Sequence, residues 1–331
     1  MRIKTALAGL LVAACVLAQS AQAETIHIAK QYGVSYLPLI VMQEEKLLEA
    51  EGKARGLDLS AEYMTISNGA TINDALISGN LEFASGGVGP MLTLWGKTRT
   101  SLKVRGVATL NAMPIWLVTS NPDIHVLHDF TEKDRIALPA VKVTIQSVVL
   151  QMDAAREFGL ANYAKYDALT VSLGHPDAQM ALLSFKSEID AHFGSAPFMY
   201  EELANPRIHR VLNSYAVLGG PHTFNAVWAT SAYHDAHPKE VAAFLAALDR
   251  AQKLIKADPK HAAELYIRNE KSKIPFDRVA EIIAKPENEW TMQPKRVMQF
   301  AHFMHSIGSL STDPADWKEL FFPDIYAQGG N

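Results

Sequence analysis

The stretch Ala75-Leu76-Ile77-Ser78-Gly79-Asn80-Leu81-Glu82-Phe83-Ala84-Ser85-Gly86-Gly87-Val88-Gly89-Pro90 decides the fold of this chain. A helix is predicted to end at Gly79, because glycine readily adopts the left-handed conformation that closes a helix. Residues 81–85 are mostly apolar or small, as in a buried strand. The glycine-rich turn after them leads into another helix, whose first turn accommodates Pro90. Helix, strand and helix in this order predict a parallel sheet with both faces covered.

The same pattern recurs in the second half of the chain. Ala181-Leu182-Leu183-Ser184 followed by Glu188-Ile189 matches Ala75-Leu76-Ile77-Ser78 followed by Glu82-Phe83 at identical spacing. Short strands alternate with amphipathic helices around both copies, and the chain beyond residue 231 is mostly helical in pattern. The predicted strands cover residues 26–29, 59–63, 81–85 and 103–109 in the first copy and 136–138, 169–173 and 189–193 in the second. We interpret the recurrence as two similar α/β domains.

The N-terminus carries a predicted export signal. Met1-Arg2-Ile3-Lys4 supplies two cations, an uncharged and largely apolar run follows, and Ala21-Gln22-Ala23 provides a cleavage site. This order is typical of a signal peptide, so we assign residues 1–23 to it and expect cleavage after Ala23. The apolar run is too short to span a bilayer of roughly 30 Å as a helix. A lipid anchor on Cys15, within Val12-Ala13-Ala14-Cys15, is the alternative.

Composition excludes several classes of function. The segment removed with the signal holds two of the 31 basic residues and none of the 35 acidic ones, so the net charge changes from −4 to −6. An acidic chain of this kind does not suit a nucleic-acid binder. The one cysteine, Cys15, lies in the signal, which leaves no thiol and no disulfide. No G-x-S-x-G nucleophile motif occurs, and we predict no catalytic residue, no bound metal and no cofactor.

An ordered set of motifs resembles a known family of binding proteins. Its members here are Tyr32 to Pro38 before a helix with Glu45-Lys46-Leu47-Leu48, then Ser67-Asn68-Gly69, then residues 75–84, then Ala181-Leu182 with Ile189-Asp190-Ala191, and finally Pro238-Lys239-Glu240-Val241. The set resembles the periplasmic substrate-binding proteins of ABC importers for sulfonates, taurine and nitrate. That family shares its fold with the pyrimidine synthases of thiamine biosynthesis. Two departures are Glu82, where the family usually has Asp, and residues 130–134, which lack the common L-x-G-K turn.

The resemblance implies an α/β chain with the two-lobed type II periplasmic-binding-protein fold. Each lobe is a mixed, mostly parallel sheet flanked by helices, and the ligand cleft lies between the lobes. Residues 24–117 plus 222–331 form lobe one, and residues 118–221 form lobe two. The chain is expected to cross between them near residues 115–120 and 221–227.

The resemblance also implies a function. The expected role is a monomeric periplasmic protein that delivers a small organic or inorganic anion, namely a sulfonate, nitrate, a carboxylate or a heterocycle, to an inner-membrane ABC permease. One alternative is an enzyme like the thiamine-pyrimidine synthases, although the chain after residue 23 lacks the cysteine cluster expected of that type. Another alternative is a ligand-sensing module that contacts a separate receptor.

Candidate ligand-binding residues follow from the carboxyl ends of the predicted strands, where open α/β sheets bind ligands. Most offer neutral hydroxyl, amide, imidazole or aromatic groups, which favours a monoanion, an aromatic acid or a heterocycle. Two helix starts, one at Ser67-Asn68-Gly69 and one at residues 144–147, are expected to hold an anion with their free N–H groups. The full set is Gln31, Tyr32, Tyr36, Ser67, Asn68, Gly86, Gly87, Asn111, Thr144, Gln146, Ser147, His192, Phe193, Ser195 and His222.

Overall fold

The computed structural model describes residues 23–186 and 188–331. The predicted signal peptide, apart from Ala23, and the alternative lipidation site at Cys15 lie outside the described residues. Within them, no helix is both long enough and apolar enough to cross a membrane.

The strands are β1 (Glu24–Lys30), β2 (Leu59–Thr65), β3 (Ala84–Gly87), β4 (Arg105–Thr109), β5 (Trp116–Thr119), β6 (Ile136–Leu138), β7 (Thr170–Ser172), β8 (Ala191–Gly194), β9 (His209–Asn213) and β10 (Asn225–Ala229). The helices are α1 (Leu37–Glu44), α2 (Leu47–Ala54), α3 (Gly69–Ile77), α4 (Val88–Thr98), α5 (Ile145–Phe158), α6 (His175–Ser184), α7 (Phe198–Glu202), α8 (Ser214–Leu218), α9 (Ser231–Ala236), α10 (Pro238–Ala257), α11 (Pro259–Glu270), α12 (Phe276–Ile283) and α13 (Val297–Ser306).

The first sheet has the strand order β2-β1-β3-β10-β4. β1 pairs with β2 in parallel, and a parallel bridge between Ile28 and Phe83 joins β1 to the segment that enters β3. β10 runs antiparallel to both β3 and β4. Phe83 stacks on Phe244 of α10 with 4.1 Å between ring centroids, which fixes that long helix to one face of the sheet.

The second sheet repeats this arrangement with the order β7-β6-β8-β5-β9. β6 pairs in parallel with β7 and β8, while β5 runs antiparallel to β8 and β9. In both sheets, therefore, the fourth strand in spatial order runs antiparallel to the strands beside it. The recurring sequence motif falls on α3 in the first unit and α6 in the second, each following the strand at the same edge of its sheet. The predicted α/β architecture of two similar units is confirmed.

The connections between the sheets lie close together. The first leads from β4 into β5 and the second leads from α8 into β10, and the two pair through an antiparallel bridge between Ala112 and Thr223. Trp116 and Leu117, which the sequence analysis placed in lobe one, pair with Gly194 and Phe193 of the second sheet. The first boundary therefore falls a few residues earlier than predicted, because the chain enters β5 as soon as it leaves the crossing.

The C-terminal helices pack on the first unit. α10 lies against α1 and α2, and α11 lies against α1 and α12. A buried ion pair between Lys30 at the end of β1 and Glu270 at the end of α11 joins this layer to the sheet. Further along, the backbone of Glu289 exchanges two hydrogen bonds of 2.8 Å with Ala112. The C-terminal segment thus pairs with the first crossing through one antiparallel bridge.

Candidate functional site

A narrow cleft lies between the two sheets. Its walls come from the carboxyl ends of strands and from the first residues of helices in both units, as expected for α/β sheets. The lining residues are Gln31, Tyr32, Tyr36, Gly69, Gly87, Pro90, Pro139, Thr144, Ile145, Gln146, His175, Ser195, Phe224 and Asn225.

The structure brings together about half of the residues selected from the sequence. Those lining the cleft are Gln31, Tyr32, Tyr36, Gly87, Thr144, Gln146 and Ser195. Tyr32 is 41 % exposed at the mouth, whereas Tyr36 is buried. Burial raises the pKa of the Tyr36 hydroxyl well above its ordinary value, an effect that the Asn225 side chain partly offsets. Tyr36 therefore stays protonated and offers an O–H donor at the floor of the cleft.

Three lobe-one candidates lie outside the lining. Ser67 is exposed, and the Asn68 side chain accepts a hydrogen bond of 3.0 Å from the Thr71 N–H. Asn68 therefore serves as the N-cap of α3. Gly86 packs against Trp228, since a Cβ atom at this glycine would lie 3.1 Å from the indole ring. These residues shape the neighbourhood of the cleft without facing it.

Two further candidates support the crossing. Asn111 donates from its amide to the Ser35 carbonyl and accepts from the Asn225 N–H. His222 is fully buried, and its Nδ1 donates to the Thr223 carbonyl at 2.9 Å. Its Nε2 is 2.8 Å from the Ser214 hydroxyl, which in turn accepts from a backbone N–H of the first crossing. Burial lowers the pKa of His222 to about 4, so the ring is neutral and acts as a structural bridge.

The remaining candidates lie in lobe two, behind the cleft wall. Ser147 directs its hydroxyl toward Thr144 and the Ala140 carbonyl, within the N-terminal cap of α5. Phe193 is fully buried in the core, because its position in β8 faces away from the cleft. His192 points the other way and lies 2.8 Å from His175, which itself lines the cleft.

Several lining residues were not predicted from the sequence. They are Pro90, Pro139, His175 and Asn225, whereas Gly69 and Ile145 belong to the two predicted helix starts. The strand-end rule reaches His175, since it opens the helix that follows β7. Asn225 was not predicted as a ligand contact because it begins a buried strand and lies next to an apolar segment of the sequence. The sequence did contain one indication of its role, since Asn225 is a polar residue at the start of an apolar run beside the second crossing.

Asn225 is the most informative of these residues. Its side chain is buried and lines the cleft. Neither its amide nitrogen nor its amide oxygen makes a hydrogen bond of good geometry within residues 23–186 and 188–331. The neighbouring Tyr36 hydroxyl, whose pKa the Asn225 side chain lowers, lies close by without completing such a bond. Buried polar atoms are almost always hydrogen-bonded, because leaving one unpaired costs about 1–3 kcal/mol. An unpaired amide facing a cleft therefore indicates a position that a ligand satisfies.

Helix N-termini converge on the same space. Helices α3, α4, α5 and α6 all begin at the cleft, which Gly69, Pro90, Ile145 and His175 of their first turns line. Each start carries about half a positive charge from the helix dipole. The N–H groups available to a ligand differ between them, since the Val88 N–H of α4 already donates to the Phe224 carbonyl. The lining within the described chain includes no Asp, Glu, Lys or Arg. The cleft is therefore electropositive without a cation, which favours an anion held by neutral donors.

The two walls approach each other closely. The Val34 N–H of the first unit donates a hydrogen bond of 3.0 Å to the Ala196 carbonyl of the second. Gly33 beside it has a φ of +115°, and a Cβ there would be 2.8 Å from that carbonyl oxygen. A Cβ at Gly89 would lie 3.2 Å from the Val143 carbonyl oxygen across the cleft. Glycine at these positions allows backbone-to-backbone contact, so the structure represents a closed form.

No model of a protein family matches this sequence, and no curated protein matches it. Solved structures do match. The alkanesulfonate-binding protein SsuA of Xanthomonas axonopodis, bound to MOPS, is 17% identical with a TM-score of 0.67, over 89% of this chain and 96% of that chain. The aliphatic sulphonate-binding protein SsuA of Escherichia coli is 17% identical with a TM-score of 0.66, over 91% and 100%.

The periplasmic nitrate-binding protein NrtA of Synechocystis is 14% identical with a TM-score of 0.69, over 93% of this chain and 88% of that chain. At these identities the likeness concerns the fold, and all three structures are of binding proteins rather than enzymes. The chain therefore shares its fold with these three binding proteins.

Proposed function

We propose that this protein is a periplasmic solute-binding protein that captures a small anion in the cleft and delivers it to the permease of an ABC importer. The observation that carries the proposal is the unpaired, buried amide of Asn225 in an electropositive cleft without charged side chains. The fold shared with sulfonate-binding and nitrate-binding proteins supports it. Export with cleavage after Ala23, and action as a monomer, belong to the same proposal.

The chemistry of the cleft suggests how such an anion is held. The first N–H groups of α5, at Ile145 and Gln146, have no partner within their own helix. They lie across the cleft from Asn225 and Tyr36, which add amide and hydroxyl donors. Hydrogen bonds to a charged group contribute about 1.5–3 kcal/mol each. Neutral donors suit a monoanion such as a sulfonate, nitrate or a carboxylate, because no ion pair has to be broken on release.

The same arrangement explains why closure depends on the ligand. Asn225 belongs to the first unit and the start of α5 belongs to the second. An anion that contacts both sides stabilises the closed form over the open one, and shifts an existing equilibrium toward closure. The closed form is the state we expect the permease to recognise.

A thermal-shift screen of the chain that begins at Glu24 tests the proposal. Sodium methanesulfonate, nitrate, acetate and benzoate are compared with methylammonium chloride as the cationic control. Tris chloride is the buffer, because many common buffers are themselves sulfonates. An anion at about 100 times its Kd is expected to stabilise the protein by about 2.7 kcal/mol. Stabilisation by methylammonium alone, or by none of the compounds up to high concentration, contradicts an anion-binding function.

A further inference from the structure

A row of buried titratable side chains runs through lobe two to the cleft. Glu202 of α7 lies 2.6 Å from Nδ1 of His192, measured from its Oε1. Nε2 of His192 lies 2.8 Å from Nδ1 of His175. Nε2 of His175 is then 3.4 Å from the amide nitrogen of Gln146 at the cleft wall. The carboxyl group and the two rings thus form one continuous hydrogen-bonded chain that ends where a ligand would bind.

The hydrogens of such a chain must all point the same way. If His192 donates from Nδ1 to the Glu202 carboxylate, its Nε2 accepts from Nδ1 of His175. His175 then faces the cleft with a lone pair on Nε2, because a neutral imidazole has one donor and one acceptor. If one additional proton resides on the Glu202–His192 pair, His192 donates from Nε2 instead. His175 then accepts at Nδ1 and faces the cleft with an N–H group.

The position of that additional proton does not change the result. It can reside on His192, giving an imidazolium beside a carboxylate, or on Glu202, giving a carboxylic acid that donates to Nδ1 of His192. In both cases Nε2 of His192 carries a hydrogen and donates to His175. Whether Nε2 of His175 presents a donor or an acceptor to the cleft therefore depends only on whether the Glu202–His192 pair holds the additional proton.

The burial of Glu202 and His192 favours the state in which this pair holds the additional proton. The side chains of Glu202 and His192 are both 0 % exposed. Oε2 of Glu202 has no hydrogen-bond partner in the described part of the chain. A carboxylate in this setting with only a neutral imidazole as its partner is an uncompensated buried charge, which is strongly unfavourable. Taking up one proton makes the pair electrically neutral.

His175 itself is neutral in this setting. Burial, reinforced by the charge of His192, holds the pKa of His175 well below its ordinary value. The ring is also fixed in place by Phe198, which stacks on it with 5.4 Å between centroids and an interplanar angle of 24°. A neutral, fixed ring that accepts at Nδ1 has its only N–H at Nε2. The Gln146 amide directs its nitrogen toward Nε2 in this structure, so the amide has to turn by 180° for its oxygen to accept from that N–H when no ligand is bound.

We infer that Glu202 and His192 are positioning residues whose shared proton makes His175 an N–H donor to the bound anion. The inference rests on the proposed function and assigns to lobe two the ligand contact that selects an anion. With the opposite tautomer His175 would present a lone pair and repel an anion, so the chain acts as a selector of ligand charge.

Nitrogen NMR of the ¹⁵N-histidine-labelled protein tests the tautomers directly, without a ligand. A His175→Gln variant assigns the signals of His175. We expect an unprotonated Nδ1 and a protonated Nε2 at His175, together with a protonated Nε2 at His192. Any spectrum in which Nδ1 of His175 carries a hydrogen, or Nε2 of His192 does not, overturns the inference.

Calorimetric titration with methanesulfonate and nitrate adds a second readout. His175→Gln keeps an N–H donor and is expected to bind within about fivefold of the unmodified protein. His175→Leu removes the donor and is expected to weaken binding about tenfold or more. Equal binding by both variants contradicts the inference while the anion-binding function stands. If neither anion binds the unmodified protein, the proposed function is in doubt, and the NMR tautomers still decide whether the proton-sharing chain exists.

Discussion

The two lobes share one topology and differ in the chemistry that they bring to the cleft. Helices α3 and α6 occupy equivalent positions and carry the recurring sequence motif, yet the first begins with Gly69 and the second with His175. Lobe one thus offers backbone, tyrosine hydroxyls and uncharged amides such as that of Asn225, whereas lobe two offers an imidazole hydrogen-bonded to His192 and, through it, to Glu202. The comparison teaches that topology places a residue at the cleft, while the side chain at that place decides what it binds.

Removing the lobe-one amide is expected to have the largest effect. Asn225→Ala loses the cleft side chain whose amide nitrogen and oxygen are both buried and unpaired in the described structure. Anion affinity should fall about 10- to 100-fold, since a hydrogen bond to a charged group contributes about 1.5–3 kcal/mol. Calorimetric titration with methanesulfonate or nitrate measures the loss. The melting temperature without ligand should stay unchanged or rise, because an unsatisfied buried group is removed.

Asn80→Ala is the matched control for this variant, because Asn80 is an exposed asparagine of the same lobe. It should bind anions as the unmodified protein does. Unchanged affinity in Asn225→Ala would mean that Asn225 is not an anchor for the anion, and that the comparison between the lobes is wrong on this side.

The crossing between the lobes should respond to pH through His222. Its pKa is lowered to about 4 by burial, against about 6.5 for an exposed histidine. The unfolded chain therefore binds more protons between these values. Stability should be constant above about pH 6.5 and fall as the pH decreases toward 4, by about 2 kcal/mol between pH 7 and pH 5.

Denaturant unfolding at a series of pH values measures this decline. His175, whose pKa is also lowered, contributes in the same direction. A His222→Gln variant removes the contribution of His222 to the pH dependence. Its free energy of unfolding should therefore fall less steeply with decreasing pH, although the variant is less stable at pH 7. An identical pH profile in both proteins would show that His222 does not titrate as its burial requires.

Blocking the contact between the lobes should weaken binding about tenfold. Gly89→Ala places a Cβ 3.2 Å from the Val143 carbonyl oxygen and 3.3 Å from the Ile145 nitrogen. These are backbone atoms that cannot rotate away, so the closed form is disfavoured and the apparent Kd increases. The melting temperature without ligand should not fall, since alanine suits a helix better than glycine.

Lys97→Ala, at an exposed position near the other end of α4, is the control and should bind normally. Small-angle scattering with saturating anion gives a second measurement. We expect the radius of Gly89→Ala to remain larger than that of the liganded unmodified protein. A radius and affinity equal to those of the unmodified protein would contradict closure at this contact.

The smallest expected changes in anion affinity come from substituting two serines, one in each lobe, and the two substitutions should differ in their effect. Ser195 is buried and lines the cleft in lobe two, whereas Ser67 is exposed in lobe one. Ser195→Ala should weaken anion binding about three- to tenfold, as expected for the loss of one hydrogen bond. Ser67→Ala should change it less than twofold. Calorimetric titration of both variants checks the difference, and the reverse order would move the binding site toward the start of α3.

Much of the fold could be predicted because it depends on local pattern. The strand at Ile136–Leu138 matches its predicted bounds, and α3 starts at the predicted Ser67-Asn68-Gly69 segment and ends two residues before Gly79. Long-range pairing was less predictable. Nothing near Trp116 shows that it enters the second sheet, because its partners in β8 and β9 are distant in sequence.

The site was predictable only in outline. The strand-end rule correctly selected positions such as Thr144 and Gln146 at the start of α5 as facing the cleft. It failed for Phe193, because the register of β8 decides which alternate residues face the cleft and which enter the core. It also failed for Asn225, whose importance lies in having no partner, and a sequence does not show where hydrogen bonds are left unmade.

A crystal structure of the protein with the most strongly stabilising anion from the screen tests the central claim most directly. The account predicts that the anion lies between the lobes, with its oxygens within hydrogen-bond distance of the Ile145 and Gln146 N–H groups, the Asn225 amide and Nε2 of His175. An anion bound elsewhere on the surface, or seated in the cleft without contact to Asn225 or to the start of α5, would contradict it.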